Sequence, residues 1–235
     1  MVAGSVGAPT IVSTGLYPML ALTDLASETP LALSVAATGA GALQGALIAR
    51  SDDDLDLVGM ATLAVCLGFG GGVIRDVLLG TFPPTALTNA WFIGVALAAV
   101  AVVALAGRHL HVIEPVLLVA DAAVLGLFGV IAAQQALGAD LPSLAVVFVG
   151  VLAAVGGGVI ADVLRGERPM IMRPGPPYAL VAVAGVVTYV MLVDIVDAQP
   201  ALAAIVAIAV TFAGRVITFR VGVRTRAARP GPRQR

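Results

Sequence analysis

Seven apolar runs, near residues 31 to 50, 57 to 79, 89 to 107, 114 to 137, 141 to 164, 178 to 197 and 200 to 219, occupy most of this chain. A hydrocarbon layer about 30 Å thick is crossed by roughly 20 apolar helical residues. In lipid every backbone N–H and C=O needs a partner within the protein, which leaves the helix as the natural state of each run. The expected fold class is therefore an all-α integral membrane protein with seven transmembrane helices. Composition excludes the soluble alternative: 60% of the 235 residues are hydrophobic and 11% charged, where soluble domains carry about 25% charged residues. Mean hydropathy is +1.04.

Charge placement sets an expected orientation. All 13 basic side chains are arginine, and positive charge accumulates on the cytoplasmic side of membrane proteins. With seven spans, Arg50, Arg108, Arg165, Arg168, Arg173 and the six arginines from Arg220 to Arg235 fall on one side. Only Arg75 is left near a helix end on the other, and Arg215 lies inside the last span. The N-terminus is thus expected outside and the C-terminus in the cytoplasm of a bacterial inner (cell) membrane. Residues 1 to 30 contain a modest apolar patch, Ile11 to Leu22, without a basic leader or cleavage site, and read as an outside or interfacial lead-in rather than a signal peptide.

The chain also contains a duplication. GGGVIRDVLLGTFP at 70 to 83 aligns without gaps to GGGVIADVLRGERP at 156 to 169, with ten of fourteen positions identical. The copies end the second and fifth spans. Three spans separate them, and an odd number inverts direction, so the two three-helix halves are expected as inverted repeats about an axis in the membrane plane. The expected division is a lead-in at 1 to 30, a first repeat at 31 to 110, a second at 111 to 198, a seventh helix at 199 to 220 and an Arg-rich cytoplasmic tail at 221 to 235. Each glycine lowers helix stability by about 1 kcal/mol relative to alanine. Gly70, Gly71, Gly72, Gly156, Gly157 and Gly158 are therefore expected to let helices two and five bend, unwind or accept a close backbone, and to mark helix breaks on an ion pathway.

Besides Arg215, four charges stand out within these spans: Arg75, Asp76, Asp121 and Asp162. A charge at the bilayer centre costs at least about 2.5 to 3.5 kcal/mol, so each must pair, face a watery interior or reach the interface. Asp162 and Asp121 are the candidate partners of Arg75. The structural alternative makes Arg75 and Asp76 interfacial anchors and Asp162 a neighbour of Arg165.

Other features carry less. Gly39 to Gly45 resembles a dinucleotide fingerprint but lacks its strand and acidic residue; Gly41 and Gly45, four apart, suit close helix packing. The acidic run Ser51 to Asp56 reads as a solvated loop. Cys66, the only cysteine, excludes intramolecular disulfides and reads as a small apolar residue. His109 and His111 are expected in a connection, with metal binding or pH sensing the minority reading. Arg220, Arg224 and Arg226 are candidate contacts for anionic lipid in a tail that otherwise anchors topology. No cofactor, structural metal site or nucleic-acid partner is expected, and no serine, cysteine or histidine in the motifs offers an intramembrane nucleophile or base.

Glycine triplets followed by Arg-Asp, ending one span and repeated three spans later, resemble the bacterial relatives of the trimeric intracellular cation (TRIC) channels. ADAAVLGLFGVIAAQQAL at 120 to 137 is similar to that family too, and the likeness covers roughly residues 31 to 220. The resemblance implies a homotrimer in which each protomer has an hourglass pore lined largely by spans one, two, four and five, with the glycine breaks at the constriction. It implies permeation of monovalent cations, chiefly potassium. Two departures stand out: Ala161 occupies a position that is often arginine in the family, and the first span begins LALSVAATG without the aspartate that many relatives carry. The alternative function is a secondary transporter for a small zwitterion such as glycine, with Arg75 holding a carboxylate and an aspartate the ammonium group.

Overall fold

The computed structural model describes residues 31–106, 113–223 and 225, the side chains of 113 and 114 excepted. The lead-in at 1 to 30, His109, His111, Arg224, Arg226 and most of the Arg-rich tail lie outside the described residues. The described residues are all-helical. Seven apolar helices follow in order: α1 Leu31–Arg50, α2 Leu57–Leu79, α3 Ala90–Leu105, α4 Ile113–Gly138, α5 Ser143–Leu164, α6 Tyr178–Val190 and α7 Pro200–Arg220. Helix α6 continues through a π turn at Met191–Ile195. Six of the seven are long and apolar enough to cross a membrane. Helix α3, with 16 residues, spans about 24 Å at 1.5 Å per residue, and exposed Trp91 stands at its start, a position suited to a membrane interface.

Local chemistry sets the helix ends. Asp56 opens α2 by accepting a hydrogen bond from Gly59 N at 2.8 Å, and Asn89 opens α3 by accepting from Trp91 N at 3.0 Å. Both copies of the repeated motif close their helix the same way. Gly80 and Gly166 adopt left-handed φ values of 69° and 70°, as a glycine beyond a helix C-terminus readily does. Thr81 N then donates to Asp76 O at 2.8 Å, and Glu167 N to Asp162 O at 2.9 Å.

Helices α1, α2 and α3 pack on one another, as do α4, α5 and α6. The two groups meet through α2 against α5 and α1 against α4, while α7 packs on α4 and α6. The start of α2 and the end of α5 share one face, because Arg165 Nε lies 3.4 Å from Asp52 Oδ2.

One expectation is overturned. Helices α2 and α5 run as regular α-helices through Gly70 to Gly72 and Gly156 to Gly158, with no break at either triplet. The physical reason is that a hydrogen bond lost inside a bilayer has no water to replace it and costs several kcal/mol, more than the helix penalty of a glycine. Bulk, rather than coiling, is what these glycines remove.

A candidate ion pathway at two glycine triplets

The triplets bring α2 and α5 together backbone to backbone. A Cβ built on Gly70 would lie 2.8 Å from Gly157 Cα, and one on Gly71 would lie 2.3 Å from Ala153 O. One on Gly157 would lie 3.1 Å from Leu67 O. The two copies begin at 70 and 156, an offset of 86 residues. At that offset Ala153 is the twin of Leu67 and Gly157 the twin of Gly71, so the last two contacts are mates about a local two-fold axis. With no room for a methyl group at this crossing, there is none for an ion: the helices are shut here.

The third glycine of each triplet is different. A Cβ on Gly72 would meet nothing nearer than 3.9 Å, and one on Gly158 only the Tyr178 hydroxyl at 3.6 Å. Each of these glycines lines a cavity. One cavity, about 10 Å³, is lined by Ser34, Thr38, Gly72, Arg75, Thr85 and Phe128, among others. The other, about 40 Å³, has Gln44, Asp121, Gly158, Asp162, Arg165 and Tyr178 in its wall. Because α2 starts where α5 ends, these small chambers lie toward opposite ends of the bundle, with the glycine crossing between them.

The charges pair in a way not expected from their positions in the sequence. Arg75 pairs with neither Asp121 nor Asp162. It holds its own neighbour: Nη2 lies 2.6 Å from Asp76 Oδ1 and Nε donates to the same oxygen at 2.8 Å. Asp76 is 1% exposed, and its second oxygen accepts from Thr85 N at 2.7 Å, holding the one-turn helix Thr85–Thr88 against the end of α2. Asp162 repeats that bond in the second copy, accepting from Met170 N at 2.8 Å at the start of the 3-10 turn Met170–Met172. Both motif aspartates are thus tied to the turn that follows their helix, and Asp162, half-buried, also borders the larger chamber.

The residue that sequence reasoning left unassigned is Arg215. Its Nε lies 2.6 Å from Asp121 Oδ2, and its guanidinium stands 5.0 Å from the centre of the Tyr178 ring. Gln44 Nε2 donates to the other Asp121 oxygen at 2.8 Å. Asp121 and Arg215 are 6% and 5% exposed. A lone arginine in an apolar span, 94 positions from its aspartate, was the available signal, since each buried charge needs an opposite one. Of the candidate lipid contacts, Arg220 is exposed at the end of α7. Part of the acidic loop is structural: Asp56 caps α2 and Asp52 meets Arg165. Among the described residues no group of three or more acidic, histidine or cysteine side chains is placed to hold a metal ion.

A family model described as Glycine transporter matches residues 31–108 and 118–194. The UPF0126 membrane protein of Deinococcus radiodurans is 37% identical over 145 residues, covering 61% of this chain and 67% of the relative. A TRIC cation channel solved for the structural basis of conductance is 32% identical with a TM-score of 0.75, over 85% of this chain and 97% of that one. The TRIC trimeric intracellular cation channel orthologue from Rhodobacter sphaeroides is 30% identical with a TM-score of 0.73, over 82% and 98%.

Proposed function

The chain belongs to the glycine transporter family of membrane proteins, which shares its fold with the prokaryotic TRIC channels, and from that membership we propose that it is a cation channel with a pore inside each protomer. The observation that carries this reading is the pair of twin chambers separated by a crossing of glycines. At Gly70 and Gly157 the two helices touch through backbone alone, with only Ile74 and Ile160 reaching across beside them, so a shift of a few ångströms there would join the chambers. An ion reaching the larger chamber meets the carboxylates of Asp121 and Asp162, whose negative charge favours a monovalent cation over an anion. Potassium is the proposed main ion and a homotrimer the proposed assembly, both on the likeness to TRIC channels. The proposed setting is a bacterial inner membrane with the N-terminus outside, which puts the Asp121 chamber on the cytoplasmic side, in keeping with the arginine distribution.

Single-channel recording of the purified protein in planar bilayers under a KCl gradient tests the reading. Unitary currents whose reversal potential lies on the potassium side of zero are expected. A second reading, a carrier for a small zwitterion, is favoured by one observation: the buried Arg215 Nη1 and Gln44 Oε1 lack hydrogen-bond partners among the described residues. That leaves one donor and one acceptor near each other for a carboxylate and an ammonium group. Saturable uptake of labelled glycine into proteoliposomes, without unitary currents, would decide for the carrier.

A further inference from the structure

Within the repeated motif one charged difference is fully buried. Position 75 is arginine, and its twin at 161 is alanine. Ala161 is 2% exposed and faces the same chamber as Asp121, Gly158 and Tyr178. Arg165, which also lines this chamber, is taken up by Asp52 and Glu167, and the positive charge on Asp121 comes instead from Arg215, which reaches from α7 through an adjoining cavity that shares Gln44, Asp121 and Met170 with the chamber. We propose that Arg215 replaces the missing motif arginine and acts as a tethered cation that occupies the electronegative site of this chamber, so that a permeating ion passes only when the guanidinium withdraws from Asp121. This rests on the channel reading above and names the residue that controls it from the second side.

Three observations support a movable role rather than a fixed one. First, the two arginines are held unequally. Arg75 places both Nε and Nη2 on Asp76, a neighbour on its own helix. Arg215 makes a single close bond to Asp121 through Nε, directs Nη2 to the Met170 sulfur at 3.5 Å and leaves Nη1 without a partner among the described residues. A thioether is a weak acceptor, so beyond the one Asp121 bond and the face of the Tyr178 ring little holds this guanidinium in place. Secondly, space exists beside it: a cavity of about 260 Å³ is lined by Gln44, Asp121, Arg215 and Phe219 with apolar neighbours. Thirdly, withdrawal frees one Asp121 oxygen in a cavity that Gln44 also lines, and Gln44 Oε1 has no hydrogen-bond partner among the described residues; both are oxygens of the kind that replace water around a cation. While Arg215 stays, its charge cancels that attraction.

The test uses the full chain in planar bilayers under a KCl gradient, comparing wild type with R215Q, R215A and R215A/A161R. R215Q keeps a hydrogen-bond donor to Asp121 and covers the case in which R215A does not fold. Removing the charge is expected to raise potassium conductance about tenfold, the lower range by which an unopposed local field concentrates counter-ions, and to move the reversal potential toward the potassium value. Restoring arginine at 161 is expected to return both to the wild-type level. A merely structural Arg215 would lower the melting temperature in detergent and leave the reversal potential unchanged. Folded R215Q with wild-type currents and reversal potential overturns the proposal and leaves the channel reading standing. Folded variants all silent, wild type included, overturn both.

Discussion

Gly70 and Gly157 meet with no space for a side chain between them: a Cβ on the first would stand 2.8 Å from the Cα of the second. Alanine at either position gains up to about 1 kcal/mol of helix propensity but must push two backbones apart, and overpacking of that kind costs about 1 to 3 kcal/mol. Gly70→Ala is therefore expected to lower the melting temperature in detergent, whereas Gly72→Ala, whose Cβ meets nothing nearer than 3.9 Å, is expected to raise it slightly. A thermal shift series across the triplet checks this, and equal behaviour at 70 and 72 would mean that the crossing is not the tight point.

Arg75 and Asp76 form the best-held buried ion pair of the bundle, with both guanidinium contacts on one carboxylate oxygen. Arg75→Ala leaves Asp76 as a buried charge with only Thr85 N to satisfy it, a loss expected to cost about 3 to 5 kcal/mol. Arg75→Ala combined with Asp76→Asn should recover much of that, because the neutral amide needs no counter-charge. Asp162→Asn is expected to be mild, about 1 kcal/mol for one altered hydrogen bond, since Asp162 is half-buried and among the described residues its carboxylate bonds Met170 N alone. Denaturation in detergent of the four proteins gives the comparison.

The difference between those two aspartates shows where sequence reasoning reaches and where it stops. Helix number and placement were legible, because a bilayer demands about 20 apolar residues for each crossing and little else competes with that pattern. The duplication was legible for the same reason, and the twin turns at Gly80 and Gly166 follow from identical residues in both copies. What the glycines do was only partly legible: a glycine is compatible with a break and with a close approach, and the choice lies in what stands opposite, which for Gly71 is Ala153 O. That Arg215 needed an opposite charge was legible, but which partner each charge takes was not. Asp121 finds Arg215 and Gln44 from α7 and α1, and nothing in local spacing ranks Arg215 above Arg75 until the helices are packed.

The first hairpin depends on similar closeness. A Cβ on Gly45 would lie 2.3 Å from Leu63 O, and one on Gly41 2.5 Å from Leu67 O, so α1 and α2 pack through small residues along one stripe. Gly45→Leu is expected to prevent this packing, and because Gln44 lies on the same helix its bond to Asp121 should be lost with it. Reduced monodisperse yield and a lower melting temperature are the expected outcomes in size-exclusion and thermal assays, with Gly94→Leu, which has open space around it, as the tolerant control.

The loop after α5 carries a pH dependence of definite sign. Glu167 accepts from Arg173 and lies 2.6 Å from Arg165 Nη2; the Arg173 hydrogen bond first, and the neighbouring arginine charges with it, hold its carboxyl below the ordinary glutamate range. A folded-state pKa lower than the unfolded one contributes stability that is fully present above the ordinary glutamate value and disappears as pH falls through the lower, folded value. Glu167 is about a third exposed, so solvent screens the effect, and it should appear locally rather than in global unfolding. Hydrogen exchange across residues 165 to 173 is expected to be slower in wild type than in Glu167→Gln at neutral pH, after correction for intrinsic rates, and to converge with it in acid. Parallel curves for the two proteins through the acidic range would show that these arginines do not hold the carboxylate in solution.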